Sequence, residues 1–451
     1  MIEQTTAQPS RTERLFRPLL GATVALAATV RVVYVLVDDR VLPAGDGFSY
    51  HFEAIRLADG LGYTSAFGDV GQPIAHHPPA WVTLLGIISW LGGRSLRAHQ
   101  CVAVALGLGV VLLAGLIGRR YFNARVALIA ALAAALYPGF WLIETNVLSE
   151  PLALVLVGAL TLLVADLRGR PTLLRSVVVG AICGLLGLTR PEQLALLGIV
   201  VVPLLLLAGS LSVRQRILRI AAVAITCGLV IVPWTVYNAS RFEEPVLLST
   251  NGGVFLLIGN CSYSGERLGF YDTSCFFREA RQHRSYDRSQ MDVLARSVAV
   301  DNARDNLDRL PVVVPARIGR MLALFRPGQT VGWVGDWMAT GTWLIWAWVA
   351  SFWVLLAAAI AGWIVARRRR QFSWPLVAPL VVAVFTVAIS CGEPRNHTPA
   401  DLGVMVLAAV ALERLLVRPR RSVPVEADRP QEVGPRAGGT PRRVGRRRDA
   451  G

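Results

Sequence analysis

Apolar residues recur along this chain in long blocks separated by short arginine-bearing loops. The longer blocks reach about 20 residues, the length at which a helix crosses a hydrocarbon layer of about 30 Å. Ten blocks are read as membrane-crossing helices, at 19–37, 98–117, 126–142, 151–164, 176–188, 194–207, 220–237, 343–366, 375–390 and 402–416. The blocks at 176–188 and 194–207 are short for a straight crossing. Two stretches break the rhythm, a polar loop at 38–97 and a second at 238–342. Within them Pro78–Leu91 and Pro311–Phe325 read as short helices lying on the membrane surface. The pattern predicts an all-α polytopic membrane protein of about 10 transmembrane helices, because only closed hydrogen-bonding structures survive in lipid. No internal repeat of the kind that marks many transporters is visible.

Composition supports this and fixes a direction. The chain has 451 residues, 54% of them hydrophobic, and a formal net charge of +16. All 46 basic residues are arginine. Ten of them sit in the Pro/Gly-rich segment 418–451 beside four acids, and that segment cannot bury a core. Much of the remainder, 13 of 36, falls in the short loops near Arg119, Arg168, Arg214 and Arg367. Arginine in short loops marks the cytoplasmic side, so the charge sets topology and does not imply nucleic acid. Both termini are then cytoplasmic, with 1–18 as an N-terminal segment, 19–417 as the membrane domain and 418–451 as a disordered tail. The first block lacks a signal-peptidase site and reads as a retained anchor. Six cysteines show no zinc spacing. Cys101, Cys183 and Cys227 lie in apolar blocks, while Cys261 and Cys275 share the second polar loop, where a disulfide is one of two open states.

With this topology the informative polar residues gather on the non-cytoplasmic face. They are Asp46, His76, His77, Glu144, Glu150, Arg190, Glu192, Asn251, Asn260, Glu393 and Arg395. Charges at the ends of apolar helices are costly, so they pair or line a site. Each also has a plainer reading. Asp46 between two glycines suits a turn, Glu150 suits a helix N-cap, Arg190 and Glu192 suit an interfacial pair, and Asn251-Gly252-Gly253 suits a turn.

The order of these segments resembles the GT-C class of membrane glycosyltransferases. Gly45-Asp46-Gly47-Phe48-Ser49-Tyr50, His76-His77-Pro78-Pro79, Leu148-Ser149-Glu150-Pro151, Leu188-Thr189-Arg190-Pro191-Glu192, Ser249-Thr250-Asn251-Gly252-Gly253, Ile258-Gly259-Asn260 and Arg395-Asn396-His397-Thr398-Pro399 carry the likeness. Within the class it is similar to the bacterial branch of the dolichyl-phosphate-mannose protein mannosyltransferase and aminoarabinose lipid A transferase group, glycosyltransferase family 39-like. The resemblance implies juxtamembrane helices in the first external loop and Asp46 as the catalytic base. The protein mannosyltransferases carry Asp-Glu where this chain has Asp46-Gly47, and no lectin-like domain follows here.

The expected chemistry is sugar transfer from a polyprenyl-phosphate donor to a lipid, glycan or protein acceptor. A carboxylate takes the acceptor proton, and cations or hydrogen-bond donors stabilise the departing phosphate. Asp46 is the expected base; His76, His77, Glu150, Arg190, Asn251, Asn260 and Arg395 are the expected substrate-binding residues. No cofactor is assigned, and a divalent cation held by Asp46 and the histidines stays open without a complete ligand set. Alternative readings are an arabinofuranosyl or other cell-wall sugar transferase, or a transporter of lipid-linked sugars.

Overall fold

A computed structural model describes residues 11–67 and 70–416. Residues 1–10 and the expected tail at 418–451 lie outside the described residues. The chain folds into helices: α1 (Arg11–Val37), α2 (Asp46–Ala58), α3 (Pro79–Trp90), α4 (Leu96–Tyr121), α5 (Ala124–Leu136), α6 (Pro138–Thr145), α7 (Glu150–Gly169), α8 (Leu173–Gly187) and α9 (Val202–Leu206). After these come α10 (Val213–Ala239), α11 (Gly252–Gly259), α12 (Ser274–Gln282), α13 (Arg288–Asp305), α14 (Leu310–Met321) and α15 (Pro327–Trp337). The described residues end with α16 (Thr342–Arg368), α17 (Trp374–Ile389) and α18 (Thr398–Leu416). Among the described residues five helices are long and apolar enough to cross a membrane, or six if α5 and α6 count as one bent span. All ten predicted blocks are helical, but the rest are shorter, or in α18 carry Asp401, Glu413 and Arg414.

Local chemistry accounts for where these helices start. Ser95 accepts a hydrogen bond from the Ala98 amide at 3.2 Å to cap α4, and Asn123 caps α5 through Arg125 and Val126. Ser212 with Gln215, and Asp287 with Gln290, form capping boxes on α10 and α13.

Proline decides two departures from the predicted blocks. The block 126–142 is not one straight helix: Tyr137 is extended, as the residue before proline prefers, and α6 leaves α5 at 47°. The block 194–207 breaks into a 3₁₀ turn at Pro191–Leu194, a π turn at Leu197–Val201 and α9. Pro203 has no N–H for the carbonyl of Ile199 four residues before it. That carbonyl instead accepts the indole N–H of Trp374 on α17 at 2.8 Å.

Both expected surface helices form, as α3 and α14, and each packs one face against the rest of the bundle. α3 buries Trp81, Val82, Leu85 and Ser89, and its Trp81 indole donates to the carbonyl of Val147 at 2.9 Å. α14 buries Arg317 and Arg320 on its protein-facing side. Arg317 donates to the carbonyls of Ala388 and Gly259 and to Asn260, and Arg320 donates to the carbonyls of Glu266 and Leu268. The second polar loop is thereby tied to α17, and Cys261 and Cys275 are joined in a disulfide with Cα atoms 5.7 Å apart.

The bundle has two chemically distinct ends. At one, Arg119 pairs with Glu13, Arg120 with Asp166 at 3.0 Å, and Arg168 lies over the Phe372 ring. At the other lie α2, α3 and the turns preceding α7, α11 and α18. Between them, Arg31 of α1 donates through Nε to Glu144 of α6 at 2.8 Å, and both side chains are buried. Arg31 also reaches the carbonyl of Ala135 at 3.1 Å, so one guanidinium joins α1, α5 and α6. Removing one partner of a buried pair leaves an uncompensated charge, at a cost of about 3–5 kcal/mol. Glu144→Ala is therefore expected to lower the thermal midpoint sharply, while Arg31→Leu combined with Glu144→Leu recovers most of it. Thermal unfolding in nanodiscs checks this, and equal midpoints for the single variant and the parent would contradict it.

Candidate active site

Asp46 is the first residue of α2, and the two glycines beside it are there for steric reasons. Gly45 has φ +57°, a left-handed conformation that turns the chain from α1 into α2. Gly47 lies against α6: a Cβ there would stand 1.9 Å from the carbonyl oxygen of Asn146. An Asp-Glu pair does not fit this packing, which explains Asp46-Gly47. The plain turn reading for Asp46 gives way to a helix N-terminus, where a carboxylate is favoured by the backbone dipole.

Asp46 faces a cavity of about 270 Å³ at the end of the bundle away from the arginine-rich loops. His76, His77, Arg190, Glu192, Asn251 and Arg395 line it with Asp46, together with Tyr50, Ser149, Phe255 and Thr386. The His-His-Pro-Pro segment is clamped on both sides. The Ala75 carbonyl accepts the Thr250 amide at 2.7 Å, and the Ala80 amide donates to the Leu188 carbonyl at 2.9 Å. Three motifs far apart in sequence thus form one rim.

The charges are arranged around two arginines. Arg395 Nη1 donates to Asp46 Oδ2 at 2.6 Å, its Nε pairs with Glu393, and its guanidinium stands 5.0 Å from the Trp337 ring centre. Arg190 donates from Nη1 to Glu150 and from Nε to Glu192, each at 2.7 Å. Glu150 itself is buried and reaches the cavity only through Arg190. Burial by itself raises the Asp46 pKa, but Arg395, then His77, outweigh it and hold the carboxyl well below the usual carboxylate range. Burial pushes His77 down to about 3 and also lowers His76, so both imidazoles are neutral and offer hydrogen bonds in place of charge. The His77 ring packs 4.5 Å from Tyr50 and the same distance from His76. Asn251 makes no capping bond to α11, so its side chain stays available to the cavity.

Asn260 belongs elsewhere. Its amide donates to the carbonyls of Leu256 and Ile389, and its oxygen accepts from Arg317 and Tyr263. It locks α11 to the end of α17 and does not line the cavity. Among the described residues no group of three or more His, Cys, Asp or Glu side chains is placed to hold a metal ion, so the open divalent cation acquires no ligand set here.

Two residues were not singled out from sequence. Tyr50 stands one helical turn after Asp46. Glu53, seven residues after Asp46 and on the same helix face, is buried. Burial pushes its pKa up to about 8, with Arg288 acting in the opposite sense. Reading α2 as a helix beginning at Asp46 would have brought both into view.

No family profile matches the chain, and no curated protein matches it in sequence. Solved structures do match. The archaeal oligosaccharyltransferase AglB from Archaeoglobus fulgidus, in complex with an inhibitory peptide and a dolichol-phosphate, superposes with a TM-score of 0.55 at 15% identity over 90% of this chain. AglB tethered to an acceptor peptide containing the NVT sequon gives 0.54 at 14% identity over 89%. This chain spans about half of AglB, 51% and 49% of it in the two structures. ArnT from Cupriavidus metallidurans bound to undecaprenyl phosphate aligns over 90% of this chain and 79% of its own at 16% identity, with a TM-score of only 0.42. At these identities the AglB likeness establishes the fold, a GT-C-type membrane bundle, and leaves the activity to be argued from the site.

The Glu53 carboxyl gives a pH prediction. Its folded pKa of about 8 lies above the unfolded value of about 4.3. The folded state therefore holds a proton that the unfolded state has lost, and stability falls as pH rises between those values. Glu53→Gln is expected to raise the thermal midpoint over the parent by a margin that widens from about pH 5 to about pH 8. A margin independent of pH would show that Glu53 ionises normally in the folded protein.

Proposed function

We propose that this protein is a membrane glycosyltransferase that moves a sugar from a polyprenyl-phosphate donor to an acceptor hydroxyl. The observation that carries the reading is Asp46 sharing one cavity with two arginines and two neutral histidines, at one end of a GT-C-type bundle. The AglB structure of the same fold holds a dolichol-phosphate and a peptide, which supports a lipid phosphate on one side of the reaction.

In this reading the acceptor oxygen attacks the anomeric carbon from the side of Asp46. Its bond to that carbon forms as the carbon–oxygen bond to phosphate breaks, with inversion. Asp46 takes the acceptor proton, and the bonding electrons leave with the polyprenyl phosphate. Arg395, Arg190 and the imidazole N–H groups stabilise that anion. Arginine suits this task because its planar fork meets two phosphate oxygens at once.

In this reading the isoprenoid tail runs beside α17. Thr386 of α17 and Pro191 line the cavity, while Trp374 of the same helix and Ile199–Ala208 line a largely apolar hollow of about 450 Å³ at the opposite end. The ordered motifs favour the protein mannosyltransferase and aminoarabinose transferase branch. The arginine-rich end is cytoplasmic in this reading, and the cavity opens on the other side.

Two measurements test the reading. Asp46→Asn keeps shape and hydrogen bonding but removes the base, so transfer from a lipid-phosphate sugar should fall by about 10²–10⁴-fold while the protein still inserts. Transfer at the parental rate would remove Asp46 from the role of base. For topology, cysteines introduced beside Asp46 should react with an impermeant thiol reagent in intact cells and those beside Arg214 should not; the reverse pattern would invert the assignment.

A further inference from the structure

Both arginines that line the cavity are already paired with carboxylates. Among the described residues that line it, Arg395 is engaged by Asp46 and Glu393, and Arg190 by Glu150 and Glu192. Bidentate recognition of a phosphate needs two adjacent N–H groups of one guanidinium. On Arg395 the Nε is held by Glu393, so the adjacent pair left is Nη1 with Nη2, and Nη1 is the atom on Asp46. A phosphate that grips this edge through two oxygens competes with Asp46 for Nη1.

The four carboxylates differ in how readily they can be displaced. Glu150 and Glu393 have side chains only 1% and 5% exposed. Glu393 is also fixed by its capping box with Asn396 at the turn before α18. Asp46 is 32% exposed, the most open of the four, and its one ionic partner is Arg395. Released from that partner, it still sits at the N-terminus of α2, where the helix dipole favours its charge. The arginine that would bind the donor and the carboxylate that would activate the acceptor are therefore each other's partner.

We infer that Arg395 is a positioning residue with two alternative partners: it pairs with Asp46 while the cavity is empty, and donor phosphate displaces Asp46 so that the carboxylate turns to the acceptor. This rests on the lipid-phosphate reading above and adds an order of events, donor before base. A carboxylate gripped by a guanidinium is a weak base, and Asp46 in its present pairing is held well below the range useful for proton abstraction. Exchange of partners raises its basicity only once a sugar phosphate is in place, which keeps Asp46 from activating water in an empty site.

The inference predicts that a variant lacking the base binds the donor phosphate more tightly. Undecaprenyl phosphate without sugar is the probe, titrated onto the full chain in nanodiscs. Asp46→Asn should tighten binding by about tenfold, a typical worth for one close charge-assisted competitor. Simple repulsion between Asp46 and phosphate would tighten it too, so the same change is repeated in an Arg395→Gln background. If Asp46 acts through Arg395, the gain shrinks there to less than about twofold, because coupled residues are not additive. An equal gain in both backgrounds, or no gain in the first, overturns the exchange. Asp46→Ser repeats the comparison should the asparagine variant fail to insert. Absence of binding by the parent and by every variant would instead defeat the lipid-phosphate reading itself.

Discussion

Two guanidinium groups hold four carboxylates at one end of an otherwise apolar bundle, and the site depends on that balance. Charges in such surroundings are costly unless paired, so the pairing is strict. Asp46 and Arg395 stand 349 residues apart yet meet at 2.6 Å, joining the start of α2 to the turn before α18. Arg190 does the same for the starts of α7 and the 191–206 segment. The four turns that bear these side chains are fixed to one another by electrostatics at a point where apolar packing between helices gives way to solvent.

Elsewhere the bundle satisfies buried arginines differently, and the contrast is instructive. Arg31 has a single carboxylate partner and a backbone carbonyl. Arg317 and Arg320 have no carboxylate at all and are held by carbonyls, with Asn260, Gln329 and Thr330 adding side-chain oxygens. Those three are buried and tie separate segments together as struts. Each cavity arginine has one buried carboxylate partner and one that is partly open, Asp46 on Arg395 and Glu192 on Arg190, so an exchange of partners costs less there than in the core.

Irregular backbone follows the same division. Pro138 bends α5 away from α6, and Pro203 frees the Ile199 carbonyl for Trp374. Both breaks are repaired within the protein, as membrane depth demands. Val147, between α6 and α7, takes a left-handed φ of +56° that is strained for a β-branched residue. Its carbonyl receives the Trp81 indole, and the turn it makes delivers Ser149 and Glu150 to the site.

The sequence by itself determined the class of protein, the positions of the apolar helices and the set of polar residues worth watching. These depend on local properties: hydrophobic length sets a span, proline and capping residues set its ends, and arginine in short loops marks one end of the bundle. Asp46, His76, His77, Arg190, Asn251 and Arg395 could be picked out because ionisable or amide side chains are conspicuous against so apolar a background. Only the tertiary structure decided how they combine. Asn260 looked equivalent to Asn251 along the chain, but packing of α11 against α17 turned it into a lock. Glu53 passed unnoticed because a carboxyl in a polar loop is unremarkable until the fold buries it. A pair between Arg190 and Glu192 was legible from their spacing, but Glu150 beside Arg190 and Asp46 beside Arg395 came only with the fold. Partners so distant in sequence leave no local periodicity, and their electrostatic coupling exists only once the turns meet.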